Sequence, residues 1–215
     1  MTRSGQDTTA AMPANGYHGT NQTEIKKSRF ICDLARTDSE AEARAFIASI
    51  RSQYPDASHH CSAFVIMTEA GLVTRSSDDG EPAGSAGVPM MNALTMAGVK
   101  NVVAVVTRYY GGTDLGIGGL IRAYSGSVAR AVAEAPLVQR VERQIWRLTV
   151  SHTTAGQVQE ALLRAGAEIL DLVYQEDVSL LFICPGDVEA LVARITQGAG
   201  LATAAAVETI EVALP

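Results

Sequence analysis

The sequence predicts an α+β protein of two domains, and three observations carry that reading. First, the apolar run Val102–Val106 leads through a glycine-rich stretch into a helical pattern that extends from Leu120 to about Ala135. Second, the net charge of −6 is unevenly placed. Residues 144–215 hold three arginines against nine acids, and residues 1–143 balance to neutrality. Third, residues 144–215 spell the order βαββαβ, the split ferredoxin-like plan.

Taken in order, Met1–Asn21 is polar with no apolar core, so a flexible tail over 1–21 is expected rather than a secretory signal. Ser28–Leu34 reads as a first strand. Ser39-Glu40-Ala41-Glu42 is a capping box in front of a helix to about Tyr54, and Pro55 follows. Ser62–Met67 and Leu72–Arg75 form a hairpin around Glu69-Ala70-Gly71. A helix from Pro89 carries Met90, Ala93, Leu94 and Ala97 on one side and stops at Gly98. Val102–Val106 is then a strand of the kind buried on both faces. These elements make one domain over 22–135, followed by a linker over 136–143.

In the second domain, 144–215, the strands are Ile145–Ser151, Glu168–Tyr174, Val178–Cys184 and Val207–Val212. Its helices are Thr153–Ala165 and Val188–Thr196. Trp146, Tyr174 and Phe182 are aromatics on those strands, but arginines are few, so base stacking on this sheet is not expected.

Composition narrows the functional classes. With 47% hydrophobic and 19% charged residues the chain can bury a core. Cys32, Cys61 and Cys184 are odd in number and widely spaced, which argues against a disulfide framework or a CxxC metal site and fits a cytoplasmic setting. No apolar run approaches the roughly 18–20 residues of a membrane span, so no membrane partner is expected. The acidic balance counts against non-specific polyanion binding by the whole protein.

Two loops carry candidate chemistry. In the first, Arg108, Tyr109 and Tyr110 precede five glycines in nine positions, Gly111, Gly112, Gly116, Gly118 and Gly119, before Arg122 and Tyr124 in the helix. Strand, glycine loop and helix together can aim backbone N–H groups at an anion. No Lys-Ser/Thr pair follows, so the stretch is not a P-loop. The alternative is a tight crossover in which glycine permits close packing. Arg122 at a helix start opposes the dipole and calls for an answering anion or carboxylate. For the arginines the alternative is an internal salt bridge to Asp78, Asp79, Glu81 or Asp114.

In the second loop, Ser77, Asp78, Asp79, Gly80 and Glu81 run on to Gly84 and Ser85. Their carboxylates either hold a cation or accept backbone N–H groups in a tight turn, and the turn is favoured. His59 and His60 are adjacent on a strand and point to opposite faces, so His60 reads as structural. No metal site and no cofactor are expected.

These residues resemble the YigZ/IMPACT family. The resemblance rests on Ser28-Arg29-Phe30, His59-His60-Cys61, Ser77 to Pro82, Gly84 to Gly87, and above all Arg108 to Gly112 with Leu115 to Tyr124, and it covers about residues 20–135. It implies a first domain like the second domain of a small-subunit ribosomal protein and domain IV of elongation factor G. It also implies a small ferredoxin-like second domain like domain V of that factor. Functionally it implies translational regulation in the eukaryotic branch. This chain departs from the family pattern at Asp114, usually lysine, and at Ser85, usually threonine.

Three classes follow. The first is a translation-associated regulator that binds RNA, the ribosome or another phosphate-bearing ligand at the 108–122 loop. The second is an enzyme acting on a phosphorylated small molecule, with Asp78 or Asp79 on a metal. The third is a protein-interaction module without a small ligand; separately, the acidic second domain is the expected face for a protein partner. No catalytic residues are assigned, because no Ser-His-Asp or Cys-His pair can be assembled from the spacing.

Overall fold

The structure, a computed structural model, describes residues 10–198, 200 and 202–214. Its elements in order are β1 (Ala11–Pro13), β2 (His18–Ile25), β3 (Ser28–Arg36), α1 (Glu40–Gln53), β4 (His59–Thr68), β5 (Gly71–Ser77), α2 (Gly87–Met96) and β6 (Val102–Tyr109). They continue with α3 (Ile117–Glu134), β7 (Leu137–Val150), α4 (His152–Arg164), β8 (Glu168–Tyr174), β9 (Val178–Ile183), α5 (Val188–Ile195) and β10 (Ala202–Ala213). The chain divides into two units, one running to Arg140 and joined by residues from Glu211 on, the other Val141–Ile210.

In the first unit an antiparallel sheet has the order β2-β3-β6-β4-β5. Successive residues of a strand face opposite sides, so an unbroken apolar run is what a strand between two helical layers requires. β6 is such a strand, with Val102 to Val106 fully buried. On one side Val102, Ala104 and Val106 pack with Phe30, Met90, Leu94 and Tyr124 under α2 and α3. On the other, Val103 and Val105 pack with Ile50, Phe64 and Ile66 under α1. The same alternation sends Arg108 to the α2–α3 side and Tyr109 to the α1 side.

Helix α1 starts at its expected cap, where Ser39 Oγ accepts the N–H of Glu42 at 3.2 Å. The Glu42 carboxylate reaches back one residue further than a simple capping box, taking the N–H of Asp38 at 2.8 Å. Along α3 the buried residues Leu120, Ala123, Tyr124, Ser127, Val128, Ala131 and Val132 form a single stripe at helical spacing.

The expected tail is corrected over its described part. Residues 11–13 and 18–21 lie in β1 and β2, while residues 1–9 lie outside the described residues. β2 is an edge strand, HGTNQTEI, paired along its length with β3. Among the described residues one of its edges is unpaired, and its side chains are mostly polar, so it gives little hydrophobic signal. The segment expected as a linker, 136–143, is largely strand. β7 begins at Leu137, and Leu137–Gln139 pairs with β1.

In the second unit Trp146–Val150 of β7 pairs with β9, and β9 pairs with β8. Strand β10 also pairs with β7. Leu148, Val158, Leu162, Leu180, Phe182 and Val192 form its core, and Trp146 packs against it. Phe182 is fully buried, and Tyr174 is exposed on β8.

Candidate functional site

The sheet delivers Arg108 into the core rather than to a ligand. Only 5% of the residue is exposed, and its Nη1 donates to Glu81 Oε1 at 2.6 Å. The Tyr124 hydroxyl donates to the same oxygen at 2.7 Å. Its ring packs edge-on against Phe30, centroids 5.3 Å apart. Arg108 Nη2 reaches Ser28 Oγ at 3.4 Å, and the guanidinium stands 5.4 Å from the Phe30 and Tyr110 rings. Arg108 and Tyr124, both expected at an anion, instead build a buried Glu81-centred network, the internal salt bridge that the sequence held as an alternative. A charge in the core is tolerated only when paired and hydrogen-bonded, and Glu81 is the partner.

The glycines divide into two roles. Gly111 is a packing residue, because a Cβ there would lie 2.1 Å from the carbonyl carbon and oxygen of Lys27. Its N–H donates to Ser28 Oγ at 3.1 Å, so it offers nothing to a ligand. Gly112 and Gly116 hold φ of 78° and 71°, which turns the chain between β6 and α3. The helix then starts at Ile117, earlier than expected, so Gly118 and Gly119 lie in its first turn rather than in the loop.

That helix start is bare. Gly116 supplies no capping side chain, and no acid stands in the first turn. Gly119 and Leu120 donate to the Gly116 carbonyl, whereas the N–H groups of Ile117 and Gly118 have no acceptor among the described residues. Arg122 is exposed and has no ion pair among the described residues. Its Nη1 lies 3.7 Å from the point a Gly118 Cβ would occupy, so the guanidinium lies alongside the first turn of α3. Asp114 accepts a hydrogen bond from the Tyr110 hydroxyl at 3.0 Å and leaves Arg122 unanswered. Tyr109 donates to Asp56 at 3.0 Å and lies under the Arg29 guanidinium, 4.3 Å from ring centroid to Cζ.

The second loop is held together by its own acids. The Asp78 carboxylate accepts the N–H groups of Gly84, Ala86 and Gly87 at 2.8, 2.9 and 2.8 Å. Burial raises its pKa, but those three bonds outweigh burial and hold it below the usual carboxylate value. Asp79 accepts from the His60 N–H and from Arg51. His60 is buried, with its ring against the Tyr54 carbonyl at 3.0 Å. Gly80 has φ of 85° and Asp79 φ of 45°, and the Ser77 hydroxyl accepts the Asp79 N–H. Ser85 is fully buried. The loop acts as a structural turn that seats Glu81 beneath Arg108. The Cys61 thiol donates to the Asp78 carbonyl, and burial pushes its pKa up to about 12, opposed by the Tyr124 hydroxyl and aided by the nearby carboxylates.

Next to this loop α2 and α3 border a groove of about 690 Å³. Its walls, Val88, Met96 and Ile121 among them, are largely apolar and make it a poor anion cradle. The residues that sequence reasoning passed over are Lys26 and Lys27 at the β2–β3 turn, while Ser28 and Arg29 figure in it only as a motif and as strand residues. Ser28 Oγ accepts from both Gly111 and Arg108 and ties that turn to the glycine loop. The signal was the two-residue spacing between two strands, hidden because the first half of β2 reads as tail and the rest is given no strand.

A family model described as the Impact N-terminal domain matches residues 26–132. The Bacillus subtilis (strain 168) protein called IMPACT family member YvyE is 41% identical over 160 residues, 74% of this chain and 73% of that protein. An IMPACT family member from Haemophilus influenzae is 41% identical over 182 residues, 82% of this chain and 86% of its own length. A crystal structure of a hypothetical protein, 36% identical, covers 94% of this chain and 99% of its own with a TM-score of 0.60. Identity of this order across most of both chains goes well beyond a shared fold, and the chain belongs to the IMPACT family.

Proposed function

We propose that the protein is a translation-associated regulator that contacts RNA or the ribosome through its first unit. A phosphate would sit where the 108–122 loop enters α3. Family membership supports the translational part, because the resemblance implies such regulation in the eukaryotic branch. The observation that carries the phosphate part is the unanswered Arg122 guanidinium beside Gly118, in a first turn where the N–H groups of Ile117 and Gly118 are open. With α3 starting at Ile117, Arg122 stands in the second turn, where the dipole opposes it only weakly, so the first-turn N–H groups would hold the phosphate and Arg122 would add its charge from the side.

Arg108 and Tyr124 take a supporting role here, fixing the strand end and the loop from inside. Gly112 and Gly116 shape the turn, and the partly exposed Tyr110 is the aromatic nearest the loop. The order βαββαβ, with β9 between β7 and β8, supports reading the second unit as a ferredoxin-like module. Its acidic sequence favours a protein partner over RNA there. The enzyme reading is weakened, because Asp78 and Asp79 spend their oxygens on backbone N–H groups and Arg51.

The test is a titration of fluorescent poly(U) followed by anisotropy over a range of salt. The parent is expected to bind at low salt. Arg122→Ala should make the slope of log K against log salt shallower by about 0.7 while leaving the unfolding midpoint unchanged. A parent that binds no poly(U) at low salt, or a variant with the parental slope, overturns the phosphate assignment.

A further inference from the structure

The turn between β2 and β3 departs from local preference. Ile25 pairs with Ser28, so Lys26 and Lys27 are the two central residues of the hairpin. Both are left-handed, with φ of 47° and 67°. Two positive φ values mark a type I′ turn, which favours Asn-Gly, Asp-Gly or Gly-Gly because a larger side chain is strained there. The turn is nevertheless pinned. The Lys27 backbone packs directly on Gly111, and Ser28 Oγ holds the Gly111 N–H and the Arg108 guanidinium.

The two lysines are exposed, and neither has an ion pair among the described residues. Arg29 follows them, stacked over Tyr109. Tyr110, 49% exposed, follows Tyr109 and leads into Gly111. The acids near this tip are Glu24 across from Arg29, Asp56 on the Tyr109 hydroxyl and Asp114 on the Tyr110 hydroxyl. None of them pairs with Lys26 or Lys27.

We infer that the strained Lys26–Lys27 turn is a second phosphate-contacting element of the same site, built to hold the backbone of unpaired RNA beside Tyr110. This rests on the polyanion reading of the first unit and names its ligand class. Departures from local preference that a structure holds in place concentrate at functional positions. Here the residue type supplied against preference is the one a phosphodiester backbone requires. The adjacent exposed ring favours RNA over an acidic peptide, because unpaired bases stack on aromatic faces.

The test replaces the turn with its preferred residues. Lys26→Asn combined with Lys27→Gly suits both left-handed positions, so the unfolding midpoint is expected to rise. With two phosphate contacts removed, the slope of log K against log salt for poly(U) should become shallower by about 1.4. Lys26→Arg with Lys27→Arg keeps the charge and should keep the slope. Poly(Glu) should compete weakly with poly(U).

Parental poly(U) binding by the Asn-Gly variant overturns the inference, even where Arg122→Ala still weakens binding and the broader reading stands. So does an Arg-Arg variant as weak as the Asn-Gly one, or poly(Glu) competing as well as poly(U). A parent that binds no poly(U) removes both readings together.

Discussion

Glu81 Oε1 accepts from Arg108 and from Tyr124, and all three groups are closed off from water. Removing one member of a buried ion pair strands the other charge, at a cost of about 3–5 kcal/mol. Arg108→Ala and Glu81→Ala should each destabilise the protein by about that amount in urea unfolding, and the joint change Arg108→Met with Glu81→Leu should lie closer to the parent. A loss below about 1 kcal/mol for either single change, the value of an exposed pair, would remove Arg108 from the core. The position of Arg108 was legible in period-two spacing, because Val102, Ala104, Val106 and Arg108 share one strand face. Its partner was not, since Glu81, Asp78, Asp79 and Asp114 are all acids near glycine and only the folded loop selects among them.

At the scale of elements, the glycine loop separates into a packing half and an open half. Gly111→Ala would drive a Cβ into the Lys27 backbone and should cost about 1–3 kcal/mol, as overpacking does. In Gly118→Ala the new methyl meets only the Arg122 guanidinium at 3.7 Å, inside a helix that prefers alanine. Stability should hold or rise by up to about 1 kcal/mol. Thermal unfolding of the two variants checks the contrast, and equal losses would contradict it. The helix start escaped sequence reasoning because glycine is a poor helix former, so the apolar pattern seemed to begin at Leu120. Strand β2 escaped it for a related reason. Its polar alternation carries little signal until β3 pairs with it. Strand β6, α1 and the β4–β5 hairpin were legible because apolar period, cap and turn agreed in each.

For the molecule as a whole, charge and fold point the same way. Acids accumulate in residues 144–215, while the first unit carries exposed Lys26, Lys27 and Arg29 beside Tyr109 and Tyr110 at one strand end, and exposed Arg122 in α3. None of the second unit's three expected aromatic positions forms an exposed basic platform. Phe182 is buried, Trp146 packs on the core, and Tyr174 is exposed with the His152 ring 6.2 Å away between centroids. The basic cluster was only partly legible. Arg122 stood out by its helix position, but the lysines join the proposed site only once a turn packs the Lys27 backbone on Gly111. The most direct test is amide chemical-shift mapping of the full chain by NMR as poly(U) is added at low salt. The expected result is that the amides of Ile117 and Gly118 and those of Lys26 to Arg29 shift most, and return when salt is raised. Shifts confined to Val141–Ile210, or none at all, would contradict the assignment of RNA binding to the first unit.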